Sequence, residues 1–105
     1  MDERVIEMKA EVLKALAQPT RLKILECLRN GEKCICEIVP ELNGEQSNIS
    51  RHISLMQKSH LVTTRKEGVR VMVNVRDPKV FEILDKVSAI LKNQMREQER
   101  LFAKI

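Results

Sequence analysis

The sequence has no tryptophan and no tyrosine, and its only aromatic residues apart from histidine, Phe81 and Phe102, fall in the last quarter of the chain. Proteins that grip single strands or RNA stack bases on exposed aromatic rings, so the scarcity directs any nucleic-acid function toward duplex DNA. No apolar run approaches the roughly 20 residues of a membrane helix, and the first residues lack an export-signal pattern, which predicts a cytoplasmic protein. Three cysteines, an odd number, do not make the disulfide framework of a small secreted domain; reduced thiols, metal ligation or redox chemistry fit better. There is no Gly-rich phosphate loop, no Cys-x-x-Cys in a βαβ context and no histidine near the cysteines to serve as a base. These absences weigh against a thiol enzyme or a metallochaperone.

What remains is a chain of 105 residues, enough for one domain over 1–105 with a modest core. Its 19 Lys and Arg against 15 Asp and Glu leave a net charge of +4, which suits an anionic partner without demanding one.

Apolar spacing predicts a first helix over 2–17, with Val5, Ile6, Met8, Val12, Leu13 and Leu16 on it and Asp2 and Glu3 at its N-terminus. Pro19 suits the first turn of a second helix, whose Leu22, Ile24, Leu25 and Leu28 are expected in the core before Asn30-Gly31 ends it. A short third helix runs from Cys34 or Ile35 to Leu42 and stops at Asn43-Gly44; Pro40 within it predicts shortening or distortion near Cys36. The fourth covers about 46–59. The β-branched runs 61–66 and 69–75 flank Glu67-Gly68 and read as a hairpin. Asp77-Pro78 opens a long last helix carrying Phe81, Leu84, Val87, Leu91 and Met95, with Leu101, Phe102 and Ile105 extending the pattern. The two terminal helices carry more apolar surface than so small a domain covers, which predicts a homodimer through them; packing on the chain's own core is the alternative.

The stretch from Asn43 to Ile53 carries the function. At 100° per residue Ile49, Ile53 and Met56 form one stripe, while Ser47, Arg51, Ser54 and Lys58 lie opposite. A helix after a tight turn, preceded by a short helix and followed by a hairpin, reads as the recognition half of a winged helix-turn-helix. Gln46, Ser47, Asn48, Ser50, Arg51 and Ser54 are expected to reach bases or phosphates, Arg51 foremost; Arg65, Lys66 and Arg70 on the hairpin are expected to grip phosphates or a minor groove. His52, at the edge of the stripe, either packs inward or touches DNA.

Three segments together, Ala15-Leu16-Ala17-Gln18-Pro19-Thr20-Arg21-Leu22-Lys23-Ile24-Leu25, Cys34-Ile35-Cys36-Glu37-Ile38 and Gln46-Ser47-Asn48-Ile49-Ser50-Arg51-His52-Ile53, resemble the ArsR/SmtB family of metal-responsive repressors. Arg65-Lys66-Glu67-Gly68 is similar to that family's wing, and the likeness runs from about residue 8 to 88. The resemblance implies a mainly α winged-helix homodimer in the order ααααββα that represses transcription from an inverted-repeat operator and leaves it when a ligand binds. His60 stands where the family commonly has a helix-ending glycine, so a left-handed backbone is expected there.

The resemblance also implies that Cys34 and Cys36 hold a thiophilic ion such as As(III), Sb(III), Cd(II), Pb(II) or Zn(II). On a regular helix residues two apart point about 200° apart, so both sulfurs meet one ion only if the segment is still extended as the helix begins. Zinc usually takes four ligands and the family's arsenic site three thiolates; Val39 stands where a third cysteine is usual, leaving Cys27 as the other thiol. No histidine follows His60, and Asp77, Glu82 and Asp85 alone make a poor metal site. Redox sensing is the competing reading, because a thiol at a helix N-terminus beside Lys33 is activated toward oxidants. Oxidation could link cysteines within or between subunits; a Cys34–Cys36 disulfide would need a strained two-residue spacing, which leaves partners other than each other open to both. Plain burial as small hydrophobes is the third possibility.

Overall fold

The computed structural model describes residues 1–105 in the order α1 (Glu3–Leu16), α2 (Pro19–Cys27), β1 (Lys33–Cys34), α3 (Ile35–Glu41), α4 (Gln46–Lys58), β2 (Val62–Glu67), β3 (Arg70–Val75) and α5 (Lys79–Ala103). The strands form one antiparallel sheet in the order β1-β3-β2, with Cys34 opposite Met72 and Glu67 opposite Arg70. The two-residue β1 adds a strand to the anticipated order. It has no periodicity of its own and exists because β3 offers it a free edge.

Local chemistry starts the helices where expected and stops them close to it, except that α2 ends at Cys27, ahead of the anticipated Asn30-Gly31. Asp2 caps α1 by accepting the Arg4 N–H, and the Gln18 side chain accepts the Arg21 N–H with Pro19 opening α2. Helices α3 and α4 both end in Schellman motifs. In α3, Asn43 N–H donates to the Pro40 carbonyl and Gly44 N–H to that of Val39; in α4, His60 N–H donates to Gln57 and Leu61 N–H to Met56. The residues that turn left-handed are Asn43, at φ 50°, and His60, at φ 61°. Gly44 serves a different purpose: a Cβ there would sit 3.1 Å from Ile49 Cδ1, so its missing side chain lets the turn close on α4. Gly68 does need its freedom, turning the hairpin at φ 63°.

The core is a cluster of 15 residues drawn from every helix and from the hairpin, with Ile24, Leu25, Ile38, Met56, Val62 and Val73 fully enclosed. Each such side chain contributes about 1.5–3 kcal/mol by leaving water. Leu22 departs from expectation, being 37% exposed. It lies in an apolar groove with Leu13, Leu16, Leu84, Val87 and Leu91, between α1, α2 and α5. Arg29 ties α5 down by stacking on the Phe81 ring at 5.0 Å and pairing with Asp85 at 3.1 Å. Beyond Leu84, α5 has no buried residue, and no helix is long and apolar enough to cross a membrane.

Candidate nucleic-acid interface and thiol pair

Ile49, Ile53 and Met56 anchor one side of α4 in the core, which turns the opposite side outward. Gln46, Ser47, Arg51 and Ser54 are exposed, and Asn48 and Ser50 are half-buried. Arg51 Nη2 donates to Asn48 Oδ1 at 3.0 Å, which steadies the guanidinium over the first turns of α4. With Glu45 and Ser47 these two line a depression with no apolar residue in it. On the hairpin Arg65, Lys66 and Arg70 are exposed on either side of Gly68-Val69.

His52 points inward. Only 5% exposed, it accepts a 3.3 Å hydrogen bond at Nδ1 from Arg21 Nε, while Arg21 also donates to the Ala15 carbonyl at 3.2 Å. The bond stitches α4 to α2 and requires a neutral imidazole. Burial, then the charges of Arg51 and Arg21, push its pKa below the ordinary 6.5. Unfolding restores the ordinary value, so the unfolded chain binds the extra proton first as pH falls. Stability is therefore full above about pH 6.5 and declines from there toward the lower folded pKa. Thermal melts from pH 8 to 5 should show this decline, and His52→Gln should flatten it; an unchanged slope in the variant would remove His52 as the cause.

Cys34 and Cys36 come together at the head of α3. Cys34 is the N-cap residue, extended at φ −71° and ψ 147°, so the 200° separation of a regular helix does not apply. The two are joined by a disulfide with Cα atoms 5.0 Å apart, so despite the two-residue spacing the partner of each is the other. Their environments differ: Cys34 is 1% exposed and Cys36 faces solvent. The turn is held by a capping box, with Cys36 N–H donating to Cys34 Sγ at 3.0 Å and Cys34 N–H donating to Glu37 Oε1 at 3.0 Å. Pro40 lies near the end of a helix of only seven residues, as its ring leads one to expect.

The pair borders a cleft of about 540 Å³ whose other walls include Gln46 and Ser50 of α4 and Val69, Arg70 and Val71 of the wing. The sulfurs thus border both α4 and the wing. Cys27 stands apart. It shares a different pocket with Glu26, Glu41 and Leu42, and burial, reinforced by a hydrogen bond to Glu41, raises its pKa to about 11. Such a thiol is inert near neutral pH. No group of three His, Cys, Asp or Glu side chains stands ready to hold a metal ion. Within one chain, then, Cys27 does not complete a three-ligand set with Cys34 and Cys36, and two sulfurs alone do not fit a zinc or three-thiolate arsenic site.

Sequence reasoning missed the acidic partners of the wing. Arg65 pairs with Glu32 and Glu67, and Arg70 with Glu37. Glu32–Arg65 and Glu37–Arg70 each span 33 residues, so no local spacing could have indicated them.

A short helix, a tight turn and a polar-faced second helix, followed by a β-hairpin, define a winged helix-turn-helix DNA-binding protein. Residues 18–64 match the family model described as bacterial regulatory protein, arsR family. The chain is 40% identical over 85 residues, 80% of its length and 96% of the relative's, to an uncharacterized HTH-type transcriptional regulator of Methanocaldococcus jannaschii. It is 35% identical to an arsenical resistance operon repressor of Staphylococcus xylosus, over 73% of this chain and 70% of that one. Among solved structures, HlyU of Vibrio cholerae superposes with a TM-score of 0.75 at 28% identity, covering 85% of this chain and 97% of its own. The chain belongs to the ArsR/SmtB family, and it is a transcriptional regulator, not an enzyme.

Proposed function

We propose that the chain is a cytoplasmic repressor that binds an inverted-repeat operator as a homodimer through α4 and the wing, and leaves it when the Cys34–Cys36 pair changes state. The dimer reading rests on the bare apolar faces of α1 and α5, where Val5, Met8, Val12, Leu13, Val87, Ile90, Leu91 and Met95 are all more than 40% exposed. Gln46, Ser47, Asn48, Ser50, Arg51 and Ser54 read the major groove, and Arg65, Lys66 and Arg70 hold the flanking backbone.

The observation that carries the switch is the joined sulfur pair at the start of α3, against a cleft shared with α4 and the wing. Oxidation is the reading this geometry favours. With peroxide, the two thiols give up two protons and two electrons, the S–S bond forms, the O–O bond breaks and two waters leave. A thiophilic ion such as As(III), Cd(II), Pb(II) or Zn(II) is the second reading, supported by the similarity to an arsenical resistance operon repressor; its missing ligands would have to come from outside the chain's own donor set. Either agent acts by linkage, and a tenfold loss of operator affinity requires about 1.4 kcal/mol of preference for the DNA-incompetent form.

The test is a titration of the reduced protein on duplex from its own upstream region with peroxide, As(III), Cd(II) and Zn(II). Cys34→Ser and Cys36→Ser should each lose the response and Cys27→Ser should keep it. A response that survives in both of the first two variants would exclude the pair as the sensor, and response to an ion but not to peroxide would select the second reading.

A further inference from the structure

The hairpin arginines are tied to the segment that carries the thiols. Glu32, two residues before Cys34, accepts from Arg65 Nε at 3.0 Å; Glu37, directly after Cys36, accepts from Arg70 Nη2 at 3.1 Å. Glu37 is the shared member. Its Oε1, the oxygen that receives Arg70, also receives the Cys34 N–H in the capping box. Cys34 in turn pairs with Met72 on β3, two residues from Arg70. The first turn of α3, the disulfide and the base of the wing are therefore one connected unit.

The charges make the connection consequential. A guanidinium held by a carboxylate is not free to neutralise a phosphate, and Arg70 and Glu37 are 47% and 50% exposed, so water competes for both and the pair is weakly held. A small reorientation of Glu37 is enough to pass Arg70 from carboxylate to phosphate. The disulfide fixes the turn in which Glu37 reaches back over Cys34; opening it removes the covalent restraint on that turn.

We propose that Glu37 relays the state of the Cys34–Cys36 pair to the wing, masking Arg70 from DNA when the disulfide is closed and releasing it when the pair is reduced. The proposal rests on the thiol-switch reading above and names the residue that transmits it. Glu37 is a positioning residue: it touches no DNA and acts through Arg70.

Glu37→Gln separates the relay from the cap, because glutamine still accepts the Cys34 N–H but no longer neutralises the arginine. Operator affinity is measured at several salt concentrations for oxidised and reduced wild type, Glu37→Gln, Arg70→Ala and the double variant, with thiol counts confirming the redox state. Oxidised Glu37→Gln should bind up to about fivefold tighter than oxidised wild type, the upper end of what an exposed ion pair commands. Its plot of log K against log salt should steepen by about one unit, the signature of one more phosphate neutralised. Reduced Glu37→Gln should bind like reduced wild type, reduced Arg70→Ala more weakly, and in the Arg70→Ala background the Glu37→Gln substitution should have no effect. A wild-type redox difference that Glu37→Gln reproduces in full, with an unchanged salt slope, overturns the relay alone. An effect of Glu37→Gln that persists without Arg70 also overturns it. Equal affinities of oxidised and reduced wild type overturn both the relay and the thiol switch.

Discussion

Arg51→Ala is expected to lower affinity for the operator duplex by about tenfold to a hundredfold, the value of one good bidentate contact to a base edge. Arg51 is exposed on the outward side of α4 and its one hydrogen bond within the chain is to Asn48, so its removal takes nothing from the core. The thermal midpoint should stay within about four degrees of wild type, as is usual for a surface change of about 0.5 kcal/mol or less. Fluorescence anisotropy on specific and scrambled duplexes distinguishes its role. A contact to a base weakens the specific duplex and relaxes the preference at one position, whereas a contact to phosphate weakens both duplexes equally and shallows the salt slope by about one. Wild-type affinity in the variant would move the DNA-reading surface away from α4.

The second large effect belongs to the dimer. Val87 and Leu91, 49% and 53% exposed on α5, line the groove that also holds Leu13 and Leu16 of α1. Replacing both by glutamate puts two carboxylates, and their twofold copies, into a face that is mostly apolar. If the proposed dimer and inverted repeat hold, sedimentation should show a dimer for wild type and a monomer for the variant, and operator affinity should fall by about a hundredfold or more, because a second half-site would no longer be held at high effective concentration. Helix content should be preserved, since neither side chain belongs to the buried core. A variant that remains dimeric would place the interface elsewhere, and a monomeric wild type would return these helices to the role of an exposed apolar surface.

These two expectations draw on different kinds of legibility. The outward face of α4 could be read from the chain because Ile49, Ile53 and Met56 set a helical period and the rest follows by angle. The hairpin was equally open to reading, from β-branched runs on either side of a glycine that must turn left-handed at φ 63°. For His60 the expectation came from the resemblance, since the family commonly has a helix-ending glycine at that place, and the residue adopts the left-handed conformation at φ 61°. Leu22 was misplaced because periodicity identifies an apolar face without saying what covers it. Strand β1 was invisible because two residues carry no pattern. The Cys34–Cys36 pairing was weighed down by its two-residue spacing, yet the extended backbone of Cys34, the condition under which the two sulfurs could meet, is what the fold provides.

Local chemistry by itself determined where helices begin and end, which side of each is apolar and which side chains α4 presents outward, since all of these depend on neighbours within one or two turns. Tertiary structure alone decided what those groups meet. Arg21 finds His52 across 31 residues, Arg65 and Arg70 find Glu32 and Glu37 across 33, and Cys27 is turned away from the other thiols toward Glu41. Contacts between distant segments are set by how the helices and the sheet pack into one core, and no spacing along the chain encodes them.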